Sequence, residues 1–236
     1  MKIPQTIHHV WLGTRPMHPL MTRWREEWAS LHPDWKVKLW RDSPGLSPAQ
    51  LSCGDEVASC RYPEYLASCP TNTKRSEVWR YDILEQQGGV YVDADFEPVR
   101  RIDPLIDDGV GAFAGLCDTL LNWKSDLTGG YTKLEVSCAL MGCVPHHSWM
   151  RDIVKKIPSR DPLDRMSLFG EWLTNLTHEH PSVRLFDPVV FYPFPWHYYA
   201  LQGNKSLQRE PTPAETYAVH RWSSLWFPEK TPGKRE

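Results

Sequence analysis

No stretch of the chain approaches the roughly 20 consecutive apolar residues that a membrane-crossing helix needs, so none is expected. The opening residues, Met1 to Val10, lack an apolar h-region, and a cytoplasmic protein is the expectation. Excess charge is missing too: a net −2 over 236 residues gives no global footprint for nucleic acid and argues against strong DNA affinity. The basic pairs Lys36/Lys38, Arg100-Arg101 and Lys155-Lys156 read as solvated faces. None of the six cysteines, Cys53, Cys60, Cys69, Cys117, Cys138 and Cys143, forms a Cys-x-x-Cys pair, and their spacing matches no zinc ligand set. Reduced thiols filling apolar space are expected, although Cys53, Cys60 and Cys69 lie close enough in sequence for a disulfide in an oxidising compartment. No internal repeat or dividing linker occurs, which implies one domain over 1–228 and a charged tail over 229–236.

What is present is an ordinary globular composition, 41% hydrophobic and 24% charged, in a chain long enough for one α/β core. Twelve tryptophans are unusual; they serve a core, or platforms for stacking sugars and bases. Ile3 to Leu12 reads as a first strand, punctuated by Gly13 and Pro16. Trp24, Trp28 and Leu31 form one apolar stripe at i, i+4 and i+7, a helix that His32-Pro33 ends. Val37 to Trp40 follows as a strand, and residues 42–72 read as an irregular or short-helical excursion. A helix from Thr73 to Gln87 closes on Gly88, and Glu77 and Arg80 share one of its faces. Further on, Val136 to Met141 reads as a strand, with helices over Ser148 to Ile157 and Ser167 to Thr177 and an apolar, aromatic segment over Val189 to Phe194. Strand, helix, strand at the start is the opening of a doubly wound sheet.

The most informative stretch is Gly88 to Pro98. After a Gly-Gly break, the strand Val90-Tyr91-Val92 delivers Asp93 and Asp95, which an extended backbone would project to one side. Paired carboxylates at a strand's carboxyl end suit Mg²⁺ or Mn²⁺, hard cations that take oxygen ligands and bridge to phosphates. Asp-x-Asp by itself more often describes solvated turn residues or helix caps.

Five separated segments, in order, resemble glycosyltransferase family 32: Ile3 to Gly13, Lys74 to Leu84, the glycine pair running into Tyr91 to Asp95, Phe191-Tyr192-Pro193, and His220 to Trp226. The likeness extends more distantly to the glucosylating domains of large clostridial toxins. It implies a GT-A-type nucleotide-diphospho-sugar transferase fold, α/β with a single Rossmann-like mixed sheet. It also implies a bound Mn²⁺ or Mg²⁺ and retaining transfer of a hexose from a UDP- or GDP-sugar. Asp95, His220 and Asp93 become the metal set, and Asp93, Asp95 and Arg80 the catalytic set. Trp11, Glu77, Arg80, Tyr91, Asp93, Ser224 and Trp226 become the donor-binding set. The acceptor implied is a glycan or lipid-linked sugar, with a protein side chain or a modified DNA base as alternatives.

Each role has a plainer counterpart. Glu77 and Arg80 also fit an ordinary surface ion pair. His220 also fits a structural hydrogen-bonder, and each tryptophan simple core packing. The chain departs from the family where Arg75-Ser76-Glu77 stands for the usual Lys-Ser-Asp, where Gly170-Glu171 stands for Gly-Pro, and where Leu225-Trp226 stands for Ser-Trp. Two other classes share the same residues. A metal-dependent phosphohydrolase would use Asp93, Asp95 and His220 to activate water, and a sugar-nucleotide-binding module would bind without turnover.

Overall fold

The computed structural model describes residues 2–107, 109–120, 132–195 and 211–223. The first strand, β1 (Thr6–Trp11), leads into α1 (Pro19–Leu31) and β2 (Lys36–Arg41). Pro19 starts α1 where a missing N–H costs nothing, and His18 Nδ1 caps it by accepting from Leu20 N at 3.2 Å. Trp24 and Trp28 are buried beneath the helix, as the stripe requires.

Residues 42–72 are more ordered than their composition implies. They hold a hairpin, β3 (Gln50–Cys53) and β4 (Glu56–Ser59), and the short helix α2 (Pro63–Ser68). Gly54, at φ +59°, supplies the left-handed backbone of the two-residue loop. Then come α3 (Asn72–Gln87), β5 (Gly89–Val92) and β6 (Phe96–Pro98). Thr71 Oγ1 caps α3 by accepting from Lys74 N at 3.1 Å. Gly88 ends it at φ +64°, where an added Cβ would meet Pro145 at 2.6 Å and the Cys143 carbonyl at 2.8 Å. The remaining strands and α-helices are α4 (Asp103–Ile106), β7 (Ala112–Leu120), β8 (Thr132–Cys143), α5 (Ser148–Lys156), α6 (Glu171–His178), β9 (Val183–Phe186), α7 (Pro188–Phe191) and β10 (Ala218–His220), with a 3-10 turn over Ile157–Ser159 after α5. The sequence reading did not anticipate β7.

Eight strands form one mixed sheet in the order β4-β3-β2-β1-β5-β8-β7-β9, and β10 pairs with β6 in a separate ribbon. β1 runs parallel to β2 and β5, while β8 is antiparallel to β5 and β7. The two faces carry different cores. Trp28 of α1 packs with Ile7, Val90, Val92 and Phe96 on one face; Trp79 and Tyr81 of α3 pack with Val10 and Tyr91 on the other. Helices crossing opposite faces beside β1 and β5 open a crevice at the carboxyl ends of these strands.

His8 and His9 fix that junction. Trp40 Nε1 donates to His8 Nδ1 at 3.0 Å, so the His8 proton sits on Nε2 and is donated to the Gly88 carbonyl, also at 3.0 Å. His9 Nδ1 donates to the Val92 carbonyl at 2.7 Å, bridging the point where β1 and β5 stop pairing. Burial, the largest cause, lowers His8 to about 3 and His9 to about 4, so both imidazoles stay neutral.

Candidate active site

The two aspartates leave β5 in a turn, not in extended backbone. Phe96 N donates to the Asp93 carbonyl at 3.2 Å, closing a four-residue turn over 93–96. Strand alternation therefore does not align the two carboxylates; the turn and its neighbours do. Asp93 N donates to the Ala139 carbonyl of β8 at 2.8 Å, and Arg221 N donates to the Asp95 carbonyl at 3.0 Å.

Asp93 is held from inside the body of the protein. Its Oδ1 accepts from Tyr91 Oη at 2.7 Å and lies 3.2 Å from Arg80 Nη2. Burial pushes the Asp93 carboxyl above its ordinary value, and Arg80 works against that rise. The Arg80 guanidinium lies 4.7 Å from the Tyr91 ring centroid and donates through Nη1 to the Cys138 carbonyl at 2.9 Å. Tyr91 is thus buried behind Asp93 and Arg80, a support for both. Arg80 and Glu77 are buried on α3 with separate partners, which excludes a surface ion pair: Glu77 lies 3.0 Å from Lys74 Nζ. Burial raises the Glu77 carboxyl as well.

Asp95 is held from the other end of the chain. Pairing of β10 with β6 sets His220 opposite Phe96, with the two rings stacked at 4.6 Å. The segment is anchored by Val99 N donating to the Tyr217 carbonyl, by Tyr217 N donating to the Val190 carbonyl, and by a buried ion pair between Arg221 and Glu97. His220 Nε2 then lies 3.2 Å from Asp95 Oδ1, and Ser223 donates to Asp95 Oδ2 through both N (2.9 Å) and Oγ (3.2 Å). Ser223 was not singled out from the sequence; only the non-local β6–β10 pairing brings it here.

Asp93, Asp95 and His220 offer three ligand atoms within 4.8 Å of one another, all three residues buried. The fit to a divalent cation is good. Asp95 Oδ1 is buried with no hydrogen-bond partner, and the 3.2 Å gap from it to His220 Nε2 is close to what two adjacent ligands require. On an octahedral ion with bonds of about 2.1 Å such ligands stand about 3 Å apart. One imidazole and two carboxylates form a donor set that suits Mn²⁺ better than Mg²⁺.

A cleft of about 720 Å³ is lined by residues of the β1–α1 connection including Trp11 and Arg15, by the start of α3 including Lys74 and Glu77, and by Leu163 and Arg165; Asp93, Asp95 and His220 are not among its lining residues. Trp11 also packs with Met21, Trp24 and Ala94, the residue between the two aspartates. Of the residues singled out by sequence, Trp11 and Glu77 line the cleft, while Asp93, Asp95 and His220 converge at the tip with Arg80 and Tyr91 beneath Asp93. Ser224, Trp226 and the 229–236 tail lie outside the described residues.

The sheet order and the placement of the aspartate turn are those of a GT-A-type fold. Among solved structures, PaToxG glycosyltransferase superposes with a TM-score of 0.51 over 76% of this chain and 70% of that one, at 14% identity. The galactosyltransferase LgtC, in complex with donor and acceptor sugar analogues, gives 0.50 over 91% and 86%, also at 14% identity. In sequence, residues 20–110 match the family described as the glycosyltransferase sugar-binding region containing the DXD motif, and the resemblance to glycosyltransferase family 32 holds. Mannosyl phosphorylinositol ceramide synthase CSH1 of Saccharomyces cerevisiae is 30% identical over 158 residues, 66% of this chain and 35% of that protein. Inositol phosphoceramide mannosyltransferase 3 of Schizosaccharomyces pombe is 33% identical over 110 residues, 44% of this chain and 27% of that protein. The chain spans about a third of the length of these curated relatives.

Proposed function

We propose that this protein is a metal-dependent retaining glycosyltransferase that moves a hexose from a UDP- or GDP-sugar to a glycan or lipid-linked acceptor. The observation that carries this reading is the convergence of Asp93, Asp95 and His220 at a strand tip whose turn, through Ala94, packs with Trp11 of the cleft wall. A divalent cation held there supplies positive charge where a departing diphosphate gathers negative charge. Within the chain, Tyr91 and Arg80 orient Asp93, Ser223 orients Asp95, and Trp11 offers an aromatic wall to a nucleoside. Glu77 presents a carboxylate to sugar or ribose hydroxyls, and the Arg80 guanidinium stands behind it.

Retention follows from the family resemblance. In a front-face mechanism the departing phosphate helps to deprotonate the acceptor, so no enzyme nucleophile is assigned. The relatives' names make mannose the first hexose to test and an inositol-phosphate lipid the first acceptor. The decisive experiment is a thermal-shift screen of UDP-glucose, UDP-galactose and GDP-mannose with and without Mn²⁺, since a ligand that binds only the folded state raises its melting temperature. A rise that needs both sugar nucleotide and Mn²⁺ is expected. No rise with any of them would overturn the reading, and phosphate release from nucleotides irrespective of the sugar would favour a phosphohydrolase.

A further inference from the structure

The Arg80 guanidinium is only 4% exposed, so its orientation rests on a few contacts. Nη2 faces Asp93 Oδ1, the Tyr91 ring lies 4.7 Å away, and Nε is buried with no hydrogen-bond partner. Nη1 donates twice to a single residue: to the Cys138 carbonyl at 2.9 Å and to the Cys138 sulfur at 3.1 Å. Cys138 lies on β8 next to Ala139, whose carbonyl accepts from Asp93 N. One short stretch of β8 therefore fixes both partners of the Arg80–Asp93 pair, the acid through its backbone and the base through a side chain. Burial pushes the Cys138 thiol up to about 11 although Arg80 pulls it down, so the sulfur stays a neutral acceptor and does not compete with Asp93 for the charge.

We propose that Cys138 is a positioning residue: its sulfur turns the Arg80 guanidinium so that Nη2 meets Asp93, and thereby tunes how the site grips the sugar of a sugar nucleotide. The inference deepens the reading above and rests on it for the ligand. Removing the sulfur leaves Nη1 held by the Cys138 carbonyl alone and loosens that edge of the guanidinium, without touching the cleft wall at Trp11 or the Asp95–His220 end. The loss therefore falls on the sugar and not on the nucleotide.

The test has two arms. Calorimetry with Mn²⁺ compares UDP-glucose, UDP-galactose and GDP-mannose with plain UDP and GDP. For the pair that wild type binds, Cys138→Ala weakens the sugar nucleotide about 5-fold, leaves the bare diphosphate within about 2-fold, and Cys138→Ser restores the loss because a hydroxyl also accepts. Equal affinities in Cys138→Ala and wild type would overturn the proposal, and so would failure of Cys138→Ser to restore binding while melting like wild type. The second arm needs no ligand. A double-mutant cycle of Cys138→Ala with Arg80→Met, read by urea unfolding, is expected to show coupling of at least about threefold in the unfolding constant. Zero coupling would overturn the positioning role. Wild type binding none of the nucleotides would sink the functional reading, and the cycle would still decide whether Cys138 holds Arg80.

Discussion

Asp93 and Asp95 sit two residues apart on one turn, yet the protein secures them from opposite directions. Asp93 is built into the body: Arg80 and Tyr91 occupy its Oδ1, and its backbone is tied to β8. Asp95 sits on a seam, bound by His220 and Ser223 from a ribbon more than a hundred residues further along. Of the two, only Asp95 keeps a buried carboxylate oxygen with no hydrogen bond, the Oδ1 that faces His220 Nε2 at 3.2 Å. Identical side chains thus divide the labour: one anchors the turn and the neighbouring Arg80, the other is left open toward a cation. A buried, half-satisfied carboxylate is costly unless something supplies the missing charge or donor.

That division can be broken from either side. The largest effect is expected at Asp95→Ala: transfer and Mn²⁺ response fall about a thousandfold, while cooperative unfolding persists. Transfer close to wild type in metal-free buffer would refute the assignment. Asp93→Ala should do the reverse in emphasis. It strands the buried Arg80 charge, and breaking one side of such a pair costs about 3 kcal/mol, read by urea unfolding. If Asp93→Ala proves as stable as Asp95→Ala, the contrast between an anchoring and an open aspartate fails.

The sequence disclosed one side of this contrast far better than the other. The α1 stripe, the Thr73–Gln87 helix with its Gly88 stop, and the β5 strand are local patterns, and each stands within a residue or two of its expected place. β7 escaped notice because Ala112-Phe113-Ala114-Gly115 carries no alternation; its pairing with β8 and β9 makes it a strand. The hairpin at 50–59 was hidden by its serine- and cysteine-rich composition, although Gly54-Asp55 is a turn signal. The same logic governs the site. Asp93, Asp95, Arg80 and Glu77 fall in motifs that can be read along the chain. The roles of Ser223, Tyr91 and Cys138 arise from contacts across the sheet or across the β6–β10 ribbon, and no spacing rule encodes them.

Acid should act first on the anchored side. His9 supports Val92, the residue before Asp93, as a buried neutral imidazole whose pKa is lowered to about 4. Between the ordinary histidine value of 6.5 and about 4, the unfolded chain binds a proton that the folded state refuses. Stability therefore falls as pH drops through that window, by about 2 kcal/mol for this histidine between pH 7 and 5. His9→Gln keeps a donor for the Val92 carbonyl and removes the titration, so its loss over that range should be smaller by about that amount in urea unfolding. Identical slopes would show that His9 already titrates in the folded protein.

The mildest perturbation tests the seam. Ser223→Ala removes one of two donors to Asp95 Oδ2 and spares the backbone N–H at 2.9 Å, so the carboxylate keeps its place but gains freedom to rotate. Loss of such an outer hydrogen bond to a ligating carboxylate lowers metal affinity about 10-fold. Mn²⁺ titration followed by tryptophan fluorescence measures it directly, because Trp222 lies 4.0 Å from the His220 ring. Arg80 and Asp93 should be indifferent to the change, leaving unfolding in urea without metal close to wild type. A variant that binds Mn²⁺ normally, or that loses stability as Asp93→Ala does, would show that the two aspartates share one support after all.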